Sequence, residues 1–308
     1  MGNFWIRTMI AETQQQKEKP AANNTAMPTL NTDGTIRATV AAPPRHDGVT
    51  TLLTVALPPT VSQSAAGGRF FLVRCGAQTE WERATQWSFA LRRPLFATTV
   101  YPLAAAMGSD AAGPVGSLWE LLALPVAADC QTWLASLPVE STLNLLGPFG
   151  QGFALQPLTR NLLVLADLAR LPLLLGIMNQ MLDRNGRVTL LLKSELPLAA
   201  EARSRLPIPV ELRVAADGEN WHQQLDETVR WADQIAVALP AASYQLLANL
   251  IRQIRFRLES NFAQAFVETD LPCGVGSCLA CTVPLADGSL TRACVHGPVF
   301  DLATLYGK

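Results

Sequence analysis

Four cysteines near the C-terminus, Cys273, Cys278, Cys281 and Cys294, are separated by four, two and twelve residues, with Gly274, Gly276 and Ala280 between them. Few features restrict a chain more, because the backbone itself must lead closely spaced thiolates around a common centre. A 2Fe-2S cluster needs two thiolates on each iron, so a loop has to wrap tightly around the inorganic sulfides, and small residues let backbone N–H groups approach them. The order C-x4-C-x2-C followed by a distant fourth cysteine suits that demand. A structural zinc site is the main rival, although tetrahedral thiolate sites usually bring two short C-x2-4-C pairs. Four thiols buried in a core would have no reason to fall at this spacing. Cys75 and Cys130 lie alone in apolar surroundings and read as core residues. His296 reads as an ordinary loop residue, since Rieske-type ligation requires two histidines.

The rest of the composition narrows the class. Of 308 residues, 49% are hydrophobic and 16% charged, which suits a compact protein with a sizeable core. With 24 basic and 25 acidic residues the net charge is -1, so no field favours nucleic acid or an anionic membrane. The most apolar stretch, "NLLVLADLARLPLLLGIMNQML", carries Asp167 and Arg170 near its centre, which argues against a membrane span. Arg7 interrupts the N-terminal apolar run, which is too short for a secretory signal, and Ile6 stands where a myristoylation signal wants Ser or Thr. A soluble, cytoplasmic protein is expected, with translation starting at Met1 or Met27.

Three folded regions follow a flexible N-terminal tail, residues 1–34, that lacks apolar periodicity. Residues 35–157 hold short apolar runs broken by Pro and Gly ("TLLTVALP", "RFFLVRC", "LRRPLFATTV", "SLWELLALPVA", "TLNLLGPFGQGF"), the pattern of an antiparallel β-barrel. Residues 158–268 alternate continuous apolar strands ("NLLVLAD", "RVTLLLK", "VELRVAAD", "DQIAVAL") with helical stretches ("LARLPLLLGIMNQML", "AASYQLLANLIRQIRFRL"), which predicts a Rossmann-like parallel sheet covered on both faces. Residues 269–308 form a small cysteine-bearing domain. The expected fold class is therefore α/β plus β: barrel, doubly wound domain, metal domain. No catalytic constellation emerges, as His46, His222 and His296 are scattered.

The segment "CGVGSCLACTVPLADGSLTRACVHGPVF" resembles the C-terminal 2Fe-2S domain of the electron-transfer subunit of type B dihydroorotate dehydrogenase and of related ferredoxin-reductase-like subunits. "LRRPLF" (91–96) and "LLGPFGQGF" (145–153) resemble that family's flavin-domain motifs, in the same order, so the resemblance covers about residues 35–308. It implies a barrel that binds FAD, an α/β domain that binds NAD(H), a cluster held by Cys273, Cys278, Cys281 and Cys294, and a catalytic partner subunit. By the same resemblance Arg93 would meet the FAD pyrophosphate, Pro94 and Leu95 would follow along the flavin, and Thr132 would remain of a phosphate turn. The chain departs from the family elsewhere. Phe96 replaces a serine that would touch the flavin ring, and "DCQT" (129–132) replaces a glycine-rich G-x-G-T turn. "LADLARLP" (165–172) replaces the glycine-rich nicotinamide turn, keeping only Pro172, and "ALP" (238–240) replaces a later Cys-Gly-Pro.

Those departures argue against NAD and leave FAD open. A carboxylate such as Asp167 about 5 Å from a phosphate charge costs roughly 3 kcal/mol at an effective dielectric near 20. At a helix N-cap, Asp167 would instead take the place of that phosphate. The reading is an electron-transfer subunit working with a catalytic oxidoreductase subunit, of dihydroorotate dehydrogenase type, or with another redox protein. The alternative is a structural or assembly subunit in which the cysteines hold zinc or iron–sulfur as a staple.

Overall fold

The computed structural model describes residues 28–46, 50–61, 67–76, 91–102, 116–125, 128–195, 197–216 and 218–307. Seven strands come first: β1 (Thr29–Leu30), β2 (Ile36–His46), β3 (Thr51–Leu57), β4 (Phe70–Val73), β5 (Arg93–Pro102), β6 (Ser117–Ala123) and β7 (Thr142–Phe149). All pair antiparallel in the order β2-β3-β6-β5-β4-β7, and β2 also pairs with β7, closing a six-stranded barrel. The β1 strand joins as a hairpin turned by Asp33, whose carboxylate accepts from Thr35 N at 2.9 Å and Thr35 Oγ1 at 2.7 Å. Residues 28–34, expected in the flexible tail, are thus tied to the barrel. Residues 1–27, including both candidate starts, lie outside the described residues.

The period of two along each strand sorts side chains between two cores. Phe71, Val73, Leu95, Ala97, Leu121 and Trp119 point into the barrel, where Trp119 meets Phe71 edge to face at 5.2 Å. Their neighbours Phe70, Leu72, Phe96 and Leu122 point the other way and merge with the core of the second half. Helix α1 (Ala128–Ala135) packs on β2 and β3 and sends Cys130 and Leu134 into the barrel. Cys75 and Cys130 are fully buried there, as expected, but are bonded to each other, with Cα atoms 6.0 Å apart. Their separation of 55 residues hides that pairing from the sequence.

The second half is an open sheet of β8 (Asn161–Asp167), β9 (Arg187–Lys193), β10 (Glu211–Ala215), β11 (Gln234–Ala238) and β12 (Ala263–Phe266), all parallel in the order β10-β9-β8-β11-β12. Strand β8 reads "NLLVLAD" because both faces are buried. The helices are α2 (Leu175–Asp183), α3 (Ala200–Ser204), α4 (Glu219–Trp231) and α5 (Ala242–Arg255). The stretch expected to be helical from Leu168 starts instead with a turn and a 3-10 segment, Leu171–Leu174, and α2 begins only at Leu175. Pro172 sits in the first turn of that 3-10 segment, where its missing N–H costs nothing. No helix among the described residues is long and apolar enough to cross a membrane.

The two halves approach very closely. A Cβ on Gly67 would lie 2.0 Å from Leu173 O, and one on Gly176 would lie 2.4 Å from Thr98 O, so only glycine lets the 3-10 segment and α2 sit against β5. The connecting residues are pinned to the sheet by two glutamines. Gln234 accepts from Gln156 N and Thr159 Oγ1 and donates to Ala154 O, while Gln264 accepts from Ala154 N and donates to Ala154 O, all within 2.8–3.0 Å.

The last region is not a separate lobe. A two-stranded hairpin, β13 (Thr282–Pro284) with β14 (Leu290–Arg292), and helix α6 (Ala293–His296) lead into β15 (Val299–Asp301) and α7 (Leu302–Tyr306). The β15 strand returns to the large sheet, antiparallel to β12, with Phe266 opposite Val299.

Candidate metal centre

The cysteine loop hangs between β12 and β15, both anchored in one sheet. Its path needs three left-handed residues, Gly274, Gly276 and Leu279, with φ of 72°, 79° and 60°. Gly274 is also fixed by space, since a Cβ there would lie 2.9 Å from the Phe149 ring of the barrel. Arg292 donates from Nη1 to Gly276 O at 3.0 Å, and Ala293 N donates to Cys281 O at 2.9 Å, so β14 and α6 hold the loop from the other side.

These constraints arrange the four sulfurs as two pairs. The Cys273 and Cys278 sulfurs are 3.3 Å apart, while Cys281 and Cys294 are both buried. Among the described residues no three metal-ligating side chains close on a single point. The pairs differ in environment: Cys278 is exposed and Cys273 half-buried, whereas Cys281 and Cys294 are buried. Burial pushes Cys273 up, but the backbone N–H groups of Cys278 and Val275 and the side chains of Cys278 and Ser277 outweigh it and bring its thiol down to about 5. Cys294 is pushed up to about 12 by burial and by the neighbouring Cys281 thiol. Two dithiol pairs with backbone N–H groups turned toward sulfur are what a dinuclear iron–sulfur centre requires. His296 lies in α6 rather than a loop, and its Nδ1 pairs with Thr291 Oγ1 at 3.0 Å. Beside Cys278 in the loop, Val275 and Leu279 are each more than half exposed, at 64% and 60%.

The residues expected for dinucleotides are placed differently. Arg93, Pro94 and Leu95 open β5, where Pro94 lies opposite Leu72 and Leu95 points into the barrel core. Thr132 is exposed on α1, against β2 and β3, whereas β5 lies between β6 and β4. "DCQT" is therefore part of a helix and not a turn. Arg92 is committed to the barrel wall, donating to Leu72 O and Asn144 O at 3.1 Å and to Asn144 Oδ1. Phe96 is buried and meets Phe266, at the end of β12, edge to face at 5.0 Å. Phe70 stands 6.1 Å from Phe96 and 5.7 Å from Phe149, so the contacts run on to the barrel face beside the cysteine loop.

At the end of β8 the Asp167 carboxylate accepts from Arg170 N at 2.9 Å and from Arg170 Nη1 at 2.6 Å. Arg170 Nη2 also reaches Glu268 at 2.5 Å. Asp167 thus closes a turn ahead of the 3-10 segment and does not cap a helix, because the chain is not yet helical where it binds. At "ALP" the Leu239 N–H donates to Tyr244 Oη at 3.2 Å, and the Tyr244 hydroxyl donates to Phe266 O. Tyr244, Phe266 and Glu268 were not singled out in the sequence. Glu268, at the head of the cysteine segment and opposite in charge to Arg170, offered the only signal.

The family described as the iron-sulfur cluster binding domain of dihydroorotate dehydrogenase B matches residues 268–306. No curated protein matches the chain. Among solved structures, an NADH-dependent reduced ferredoxin-NADP oxidoreductase described for flavin-based electron bifurcation is similar over 94% of this chain and 91% of its own, with 17% identity and a TM-score of 0.60. The ferredoxin reductase of carbazole 1,9a-dioxygenase is similar over 71% of this chain and 65% of its own, with 18% identity and a TM-score of 0.52. At these identities the structures establish shared architecture. The family match thus concerns the cysteine segment alone, as similar to an iron–sulfur cluster binding domain, and the structures give the chain a ferredoxin-reductase-like architecture.

Proposed function

We propose that Cys273, Cys278, Cys281 and Cys294 hold a 2Fe-2S cluster through which the chain relays single electrons to or from a catalytic oxidoreductase subunit. The observation that carries this reading is the arrangement of the four sulfurs in two sets, Cys273 and Cys278 3.3 Å apart toward the surface and Cys281 and Cys294 buried behind them. Each pair can serve one iron, whereas a single zinc ion would need all four thiolates around one point. When bound, the cluster supplies a one-electron couple, at about -400 mV if it behaves as a plant-type centre. The protein's own part is to present Cys278 at the surface, bury Cys281 and Cys294 behind it, and surround the exposed side with apolar residues. Val275 and Leu279 suit the buried centre of a contact with a partner subunit. The working division is a barrel over 35–157, an α/β domain over 158–268 and the cluster segment over 269–308.

Anaerobic purification followed by metal, sulfide and spectroscopic analysis tests the proposal. About two irons and two acid-labile sulfides per chain, a visible absorption bleached by dithionite and a rhombic EPR signal are expected. A colourless, EPR-silent protein carrying one zinc per chain would show instead that the site is a structural staple.

A further inference from the structure

The ferredoxin-reductase-like fold implies a flavin and a nicotinamide between barrel and α/β sheet, and the residues of this chain do not fit either. Phe96 stands where a serine hydroxyl would meet the flavin ring, and its own ring is packed edge-on against Phe266 of the opposite sheet. Phe70 backs Phe96, and all three side chains are at most 2% exposed. A planar ring system could enter there only by separating three buried aromatics and exposing them again. The nicotinamide side is closed by different means. Open α/β sheets take ligands at the switch point between strands, here between β8 and β11. At that point the Asp167–Arg170–Glu268 ion group and the Tyr244 hydroxyl, bridging Leu239 N and Phe266 O, already use the polar groups that a dinucleotide would engage. Phe266 takes part in both closures, through its ring toward Phe96 and through its carbonyl toward Tyr244. A groove of about 370 Å³ does open in the α/β half, but at the ends of β9 and β10, lined by Ser194, Glu195, Arg203 and Asn220, away from the switch point.

The geometry points to a chain whose iron–sulfur cluster works without a flavin or nicotinamide of its own, the seam between barrel and α/β sheet being sealed against dinucleotides, among the described residues, by its own side chains. This rests on the cluster reading above. One electron enters the cluster from a partner's donor centre, which is oxidised by one electron. The same electron leaves to a one-electron acceptor, and no proton or hydride moves on this chain. Conversion between a two-electron substrate and single electrons then falls to the partner, which must carry its own flavin or an equivalent two-electron centre.

The test uses the native full-length protein purified without oxygen and separated from any partner before analysis. Iron, acid-labile sulfide and acid-extractable flavin are measured in one sample, which is then titrated with FAD and with riboflavin while flavin fluorescence is followed. Iron and sulfide without flavin, and fluorescence that changes only in proportion to added ligand, are expected. A stoichiometric yellow extract, or saturable quenching by either flavin, overturns the seal while leaving the cluster in place. Absence of iron and sulfide overturns the cluster reading itself, and with it the inference that rests on it.

Discussion

The seam between barrel and α/β sheet and the cysteine loop at its edge are neighbours, joined through Phe149, yet they are finished in opposite ways. At the seam several inward groups have internal partners among the described residues: Phe96 with Phe266, Asp167 with Arg170, Arg170 with Glu268, Tyr244 with Leu239 and Phe266. At the loop the backbone is bent into left-handed turns, a thiol is exposed, and apolar side chains face outward. Strain and exposed apolar surface persist where something external repays them, while a self-satisfied interior needs nothing added. The same fold thus sets a self-satisfied seam beside a loop that is turned outward.

The sharpest way to break the contrast is at the thiols. Cys273→Ser or Cys281→Ser should abolish the visible spectrum and bring iron to background in metal analysis, because half of one iron's thiolate set is lost. At the seam, Phe266→Ala should leave iron content unchanged yet cost about 3–5 kcal/mol in denaturant unfolding, the usual penalty for emptying a buried aromatic site. Gly274→Ala joins the two regions, since the new methyl meets the Phe149 ring at a backbone angle of 72°. A loss of about 1–3 kcal/mol and a lower cluster content are expected, read by unfolding and by iron per chain. Arg170→Ala leaves two carboxylates without their cation, but Glu268 is 39% exposed, so water compensates in part and about 1–2 kcal/mol should be lost. Smallest in stability is Leu279→Asp, within about 0.5 kcal/mol and with an unaltered spectrum. Its affinity for a co-purifying partner should nonetheless fall tenfold or more in a binding titration, as expected for a residue at the heart of a contact.

What could be read in the sequence was whatever is local. The cysteine spacing is legible because its ligands fall within one short segment. The barrel strands are legible by alternation, and β8, β9 and β11 by their apolar runs. Strands β12 and β15 escaped notice because each is short, four and three residues, and β15 follows the turn-like "HGP". The departures at Phe96, Asp167 and "ALP" were visible as losses of a motif, but what replaced them was not. Phe96 and Phe266, or Arg170 and Glu268, are brought together only by the packing of one half on the other, and no periodicity encodes a partner so far along the chain.

The return of β15 to the edge of β12 bears on how the protein is assembled. Both ends of the cysteine loop are held in adjacent, hydrogen-bonded strands, with Val267 N donating to Pro298 O at 2.8 Å where the loop begins and ends. The entropy of bringing those ends together is therefore met by the sheet and not by the metal. In small metal-nucleated domains, by contrast, the ion has to fold the chain around itself. Here the span of the loop is set by the sheet before any ligand enters the account.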